Sequence, residues 1–273
     1  MRAESKWDQR IGRARELAAA QPAASEGLRF YERIAGFQRS LYAKVVAQLG
    51  EDQEARPPGT LREELDLFVL LPSFPLFLSL VETAAPAPLG RSAADLGVHG
   101  AARWQEVLHE LWRAGGADAS AALTPAEALI SWTFLQPYAE YLADHTEQPA
   151  DGSTPDRCPC CGGRPQAGVL RPQGDGGKRS LICALCSTEW EYRRIVCPAC
   201  GEEGVDKLPI YVAEELGHIR VEACDTCRHY IKTIDMTKNG KAVPVVDELA
   251  AVPLSLWAEE HGYTKLHPNL MGL

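Results

Sequence analysis

Nine cysteines carry the chemistry of this sequence, and all lie between Cys158 and Cys227. The 157 residues before them and the 46 after contain none. They fall as Cys158-Pro-Cys-Cys161, Cys183-Ala-Leu-Cys186, Cys197-Pro-Ala-Cys200 and Cys224-Asp-Thr-Cys227. That is four CxxC pairs and one additional thiol, Cys160. In a reducing compartment such spacing favours metal over disulfide. A CxxC turn sets two thiolates on one side of a tight knuckle, which is one edge of a tetrahedron. Two knuckles complete a four-cysteine site. Gly162 and Gly201 follow the first and third knuckles; glycine there permits φ > 0, so the chain can curl round a metal and aim N–H groups at sulfur. Pro159 and Pro198 stiffen the same two knuckles. The other two lack glycine, so the order alternates as in one module repeated. The inserts match, with 21 residues between Cys161 and Cys183 and 23 between Cys200 and Cys224.

Sequential pairing is the simplest assignment. Site 1 is then Cys158, Cys161, Cys183 and Cys186, and site 2 is Cys197, Cys200, Cys224 and Cys227. An interleaved pairing, first knuckle with third and second with fourth, uses the same donors. An all-thiolate tetrahedron accepts zinc or iron, so two metal ions, Fe or Zn, are expected. Modules this small bury too little core to fold unaided, and a metal would staple them. Eight thiolates and two divalent cations add −4, taking the chain from −9 to about −13. Arg193, Arg194, Arg228 and Lys232 could offset that locally or be solvated surface. Cys160 has three readings: a reactive thiol, a substitute for Cys161 as ligand, or a residue with no part in the site.

The elements that must position these thiols divide the chain. Residues 1–150 read as a helical domain. Trp7, Ile11, Ala14 and Leu17 fall at helical spacing, as do Leu28, Tyr31, Ile34, Phe37, Leu41 and Val45 up to Leu49-Gly50. Leu61–Leu71 reads as a third helix. Pro72 and Pro75 break the next, which resumes over Phe77–Thr83. Pro86, Pro88 and Gly90 mark a loop. Trp104 to Trp112 form a helix face closed by Gly115-Gly116. Thr124-Pro-Ala-Glu127 spells a capped helix start, with Pro137 interrupting that helix. Asp144–Asp156 is a polar linker. Two four-cysteine modules follow, 151–194 and 195–240, with short β runs at Val169–Leu170, Ser180–Ile182, Glu189–Tyr192, Leu208–Val212, Ile219–Ala223 and Tyr230–Met236. Trp190 and Tyr211 are expected beside the clusters. A tail, 241–273, reads helical over Asp247–Gly262. The expected fold is α+β and multidomain.

Several function classes start behind. The chain has 28 basic against 37 acidic residues, and the stretch 151–240 has 12 against 13; nucleic-acid binding needs a clustered basic excess. No dinucleotide, P-loop, nucleophile-elbow or zincin motif is present, and the seven histidines are scattered. No uninterrupted apolar run reaches about 18 residues, so no membrane-spanning helix is expected. The N-terminus leads into a charged amphipathic segment without an apolar signal core, which predicts a cytoplasmic protein.

The sequence resembles the FdhE-type formate dehydrogenase accessory proteins. The resemblance rests on Cys158-Pro-Cys-Cys-Gly162, Cys183-Ala-Leu-Cys-Ser-Thr-Glu-Trp190, Arg194-Ile-Val-Cys-Pro-Ala-Cys200 and Glu222-Ala-Cys-Asp-Thr-Cys227 with Tyr230-Ile-Lys232. Phe134–Glu140, Asp247–Ala250, Trp257–Tyr263 and the Arg10–Leu17 opening extend it along nearly the whole chain. Cys160 departs from the pattern. The resemblance implies a helical N-terminal domain, tandem rubredoxin-like or zinc-ribbon modules, bound iron or zinc and no catalytic activity. It implies a cytoplasmic factor that contacts the formate dehydrogenase catalytic subunit during maturation. Competing readings are a rubredoxin-type iron protein for electron transfer or redox sensing, a nucleic-acid-binding ribbon, and a sulfur carrier using Cys160.

Overall fold

A computed structural model describes residues 5–51, 55–114, 122–147, 156–174 and 176–272. The chain is α+β: a helical N-terminal part, a mixed sheet holding the cysteines, and two C-terminal helices. Helix α1 (Lys6–Ala20) is capped by Ser5, whose hydroxyl accepts from the Asp8 N–H. Helix α2 (Ser25–Leu49) stops at Gly50, which takes φ 94°. Short α3 (Leu67–Leu70), α4 (Phe74–Ala84), α5 (Ala87–Val98) and α6 (Gly100–Ala114) lead to α7 (Pro125–Asp144). α7 opens with the full Thr124/Glu127 capping box. Phe74, Phe77 and Phe134 form the aromatic centre where α4 meets α7, with Phe74 and Phe134 4.7 Å apart.

Three proline readings change in the structure. Leu61–Leu71 is not one helix: a 3-10 turn covers Leu61–Glu63, and Asp66 caps a new start at Leu67 by accepting from the Phe68 and Val69 N–H groups. Pro75 and Pro88 sit in the first turns of α4 and α5, where a missing N–H costs nothing, so the loop expected at 86–90 is a helix start. Gly90 is required there because a Cβ would come within 2.9 Å of the Glu82 carbonyl oxygen. The run Leu67–Ala84 is therefore helical nearly throughout, and by length and composition it is long and apolar enough to cross a membrane, contrary to expectation. Its Phe74, Phe77, Leu78 and Val81 are buried in the core. Pro137 does not interrupt α7. The Thr133 carbonyl that Pro137 leaves without a helical donor instead accepts from Gln38 Nε2 of α2 at 2.7 Å. The Gly115-Gly116 stop and most of the 144–156 linker lie outside the described residues.

The sheet contains β1 (Pro165–Gln173), β2 (Gly176–Cys183), β3 (Glu189–Glu191), β4 (Ile210–Val212), β5 (Ile219–Ala223), β6 (His229–Asp235) and β7 (Thr264–Lys265). Its order is β3-β2-β1-β6-β5-β4, with β7 beside β6. Each four-cysteine copy thus contributes its third, second and first strand in that order. The copies join where β1 pairs with β6 in parallel, from Ala167↔Lys232 to Leu170↔Asp235. Gly168 is small because Thr233 occupies the space a Cβ would need. The tail is two helices, α8 (Pro244–Ala250) and α9 (Val252–Glu260), separated at Ala251. Arg13 of α1 makes a bidentate pair with buried Asp247 of α8, at 2.9 and 2.6 Å.

Lys232 is not solvated surface. It is 0 % exposed, paired with Glu248 at 2.8 Å, and donates to the Glu248 carbonyl and to Ser255 Oγ. Lys265 shares the Glu248 carboxylate, as does Asn269. This buried cluster ties β6, α8 and the last residues together.

Candidate metal centres

Four knuckles repeat one backbone pattern. In each, the first cysteine's N–H donates to the carbonyl five residues on: Cys158 to Gly163, Cys183 to Thr188, Cys197 to Glu202 and Cys224 to His229, all at 2.9 Å. The residue after each second cysteine is left-handed: Gly162 at φ 67°, Ser187 at 55°, Gly201 at 77° and Arg228 at 59°. Glycine takes that conformation without strain. Ser187 and Arg228 do not, and both are held by their side chains. Ser187 Oγ donates to Glu140 at 2.8 Å. Arg228 pairs with Asp225 and lies over the Tyr263 ring at 3.9 Å. The sequence showed the glycine knuckles but not that the other two adopt the same turn.

The knuckles bring the sulfurs together in sequential order. The Sγ atoms of Cys158, Cys161, Cys183 and Cys186 lie within 4.8 Å of one another, and so do those of Cys197, Cys200, Cys224 and Cys227. The interleaved pairing does not occur. None of the nine cysteines is in a disulfide. Nearest sulfur pairs are 3.5 Å (Cys158–Cys186), 3.3 Å (Cys161–Cys183), 3.7 Å (Cys197–Cys227) and 3.7 Å (Cys200–Cys224). A tetrahedral ion with metal–sulfur bonds of about 2.3 Å has edges of about 3.8 Å, so either group could hold one. Backbone donors point at sulfur as ligation requires: Gly163 N–H at Cys161, Leu185 at Cys183 and Ala199 at Cys197, each at 3.4 Å.

The electrostatics also ask for a cation. In site 1, burial pushes the Cys183 and Cys186 thiols well up. Hydrogen bonding to Cys160 and Cys161 raises Cys158. Cys161 is drawn down, by the Cys158 hydrogen bond first and by the Arg62 charge last. In site 2, burial raises Cys197, and raises Cys227 to about 11. Cys224 is lowered against its burial by the N–H groups of Cys227 and Thr226. Each group thus favours one thiolate and resists further ones, chiefly because burial disfavours the charged form at Cys183, Cys186, Cys197 and Cys227. A divalent ion removes that resistance.

The two sites differ in surroundings. All four site 1 sulfurs are buried, whereas Cys200 of site 2 is exposed and Cys227 half-buried. Site 1 belongs to the core of the helical part, with Trp190 in the same cluster. α7 contributes Gln136, which donates to the Ala184 carbonyl at 2.9 Å, and Glu140, which accepts from Ser187. Glu140 is in turn paired with Arg10 at 2.7 Å. Arg62 donates to the Cys161 carbonyl. No sequence signal tied Arg62, Gln136 or Glu140 to the cysteines, since 47 residues separate even Glu140 from its partner Ser187. Cys160 is fully buried against site 1 but outside its four-sulfur group. Tyr211 packs against Trp257 at 4.3 Å, and its hydroxyl lies 3.4 Å from that of Tyr263, which donates to Asp225 of the fourth knuckle. His229 Nδ1 lies 3.0 Å from the Cys227 carbonyl. Arg193 is exposed and paired with Glu203.

Fold and sites together define an α+β protein with two zinc-ribbon-like four-cysteine clusters, each of which could hold a metal ion. Residues 157–194 match the family model of the FdhE central domain, and 195–271 that of the FdhE C-terminal domain. Across these two domains the chain is similar to FdhE-type proteins. It is 37% identical over 141 residues to an FdhE homolog of Aquifex aeolicus, a stretch covering 51% of this chain and 50% of that one; the match spans about half the length of that relative. With the FdhE homolog of Haemophilus ducreyi it shares 28% identity over 98% of this chain and 90% of the other. Protein FdhE of Escherichia coli O139:H28 is 28% identical over 98% and 88%. The crystal structure of the FdhE protein from Pseudomonas aeruginosa superposes with a TM-score of 0.71, at 24% identity over 98% of this chain and 96% of that one, which shows the shared fold.

Proposed function

We propose that this chain is a cytoplasmic accessory factor for forming active formate dehydrogenase, which binds the catalytic subunit during its maturation and turns over no substrate. We propose the ligand sets Cys158, Cys161, Cys183, Cys186 and Cys197, Cys200, Cys224, Cys227, each holding one iron or zinc ion. The proposed units are 1–150, 151–194, 195–240 and 241–273. The observation that carries the reading is the pair of closed four-sulfur groups inside matched FdhE domains. The metals act as staples: small modules built on them present a rigid surface. The test is deletion in the native host, with affinity capture by the tagged chain. The reading expects lost formate dehydrogenase activity and capture of the catalytic subunit. Unchanged activity in the deletion strain overturns it.

The exposure of Cys200 favours a second reading, electron transfer or redox sensing through an iron ion at site 2. Iron content, visible absorption and a reversible potential test it. A colourless protein fully occupied by zinc after growth with both metals limiting rules it out.

A further inference from the structure

The two cysteine copies are stacked, not related by closure. The first strand of copy one, β1, has its outer edge covered by β6, the third strand of copy two, in parallel register. The first strand of copy two is β4. It ends the sheet, and no strand among the described residues pairs with its outer edge. The Ala223 N–H donates to the Pro209 carbonyl, which makes Pro209/Ala223 a hydrogen-bonded pair. Antiparallel alternation then makes Tyr211/Val221 the next such pair. The backbone groups of Ile210 and Val212 therefore face away from β5, into the open edge. A repeat that stacks head to tail leaves one unfilled position of the kind it fills internally.

The side chains around that position suit an extended segment. Ile210 is 55% exposed and Val212 63%, unusual for a sheet edge, where charge or proline commonly blocks pairing. Beside them runs a groove of about 190 Å³, lined by Ile195, Val205, Leu208, Ile210 and the site 2 residues Cys197 and Cys224. Ile195 and Val205 are 53% and 71% exposed. The volume is below the range of about 300–1,000 Å³ of small-molecule pockets, so it fits side chains rather than a cofactor. A second copy of this chain is a poor occupant. Two three-residue β4 strands laid edge to edge would share few hydrogen bonds, whereas a longer extended segment can pair with β4 and also fill the groove. The groove also has a cation on its rim that Glu222 does not meet. Arg179 and Arg220 share one carboxylate, Glu222, and Arg194 on the rim is exposed.

We propose that the open edge of β4 and the groove beside it take an extended apolar segment of a partner protein, added in parallel as β6 is added to β1, with a carboxylate of that segment directed at Arg194. If the accessory reading holds, that partner is the maturing subunit; the identity of the partner, though not the docking mode, rests on that reading.

The test uses the full metal-loaded chain and fluorescein-labelled eight-residue peptides of alternating valine and serine. One carries a terminal glutamate, one a terminal lysine, and one the glutamate with alternate amides N-methylated. Anisotropy is expected to show saturable binding of the glutamate peptide. N-methylation, which removes strand pairing and leaves the side chains, should weaken it at least about tenfold. Ile195→Ser with Ile210→Ser, both at exposed positions, should weaken it about tenfold or more, and Arg194→Glu should shift preference to the lysine peptide. No saturable binding, or equal binding of the N-methylated peptide, overturns the proposal. Capture of the formate dehydrogenase catalytic subunit separates the two readings. Equal capture by wild type and the Ile195→Ser/Ile210→Ser variant overturns this surface and leaves the accessory role standing. Peptide binding as predicted, with no capture even by wild type, supports the surface and overturns the accessory role.

Discussion

Excess chelator should strip the two metals at very different rates, site 2 first. In site 2 the Cys200 sulfur is exposed, so a competing ligand can attack without opening the fold. Site 1 has no exposed sulfur, and reaching it means parting its knuckles from α7 and the Arg62 loop. That breaks the Ser187–Glu140 and Gln136–Ala184 hydrogen bonds and the Arg62 contact with the Cys161 carbonyl. A neutral hydrogen bond is worth about 1 kcal/mol and one to a charged group about 1.5–3 kcal/mol, so the lower values together come to about 4 kcal/mol. Allowing for incomplete additivity, at least about 3 kcal/mol separates the openings, or roughly 100-fold in rate. The assay is zinc release from fully loaded protein at neutral pH, followed with a chromophoric chelator. Two equal-amplitude phases are expected, with the fast one absent in Cys197→Ser and the slow one unchanged. A single phase carrying both metals, or a fast phase that survives in Cys197→Ser, refutes the reasoning.

Further predictions rest on other elements. Glu248→Gln leaves Lys232 and Lys265 buried without their shared carboxylate and should cost about 3–5 kcal/mol in denaturant unfolding at pH 7; a loss under about 1 kcal/mol contradicts the cluster's role. Burial would raise the Glu248 carboxyl, but the Lys232 and Lys265 charges hold it down at about 2 against the usual 4.5. Its contribution is thus complete above pH 4.5 and lost as pH falls toward 2, so the gap between wild type and Glu248→Gln should narrow over that window. Gln38→Ala should cost about 1–3 kcal/mol by leaving the Thr133 carbonyl without a donor. Pro137→Ala supplies the helical N–H instead, and the double variant should recover part of that loss; strict additivity in the cycle contradicts the explanation.

The cysteine chemistry was legible because a knuckle is local: five residues set two sulfurs and one turn. The Thr124/Glu127 start of α7 was legible for the same reason. Prolines misled wherever a first helical turn and a helix break look alike, as at Pro75 and Pro88, or where a distant donor repairs the break, as Gln38 does for Pro137. Lys232 read as surface because the carboxylate that pairs with it is Glu248, sixteen residues on and across an element boundary. The joining of both copies into one sheet through β1 and β6 left no periodic trace, and neither did the contacts of Arg62, Gln136 and Glu140 with site 1. Such contacts depend on how finished elements meet.

The proposed role requires eight thiolates closing two separate tetrahedra. Metal analysis combined with X-ray absorption, on protein purified without oxygen, tests it most directly. Two ions of iron or zinc per chain, each with four sulfur neighbours at about 2.3 Å, are expected. One ion or none per chain, fewer than four sulfurs around each, or cysteines recovered as disulfides would contradict it.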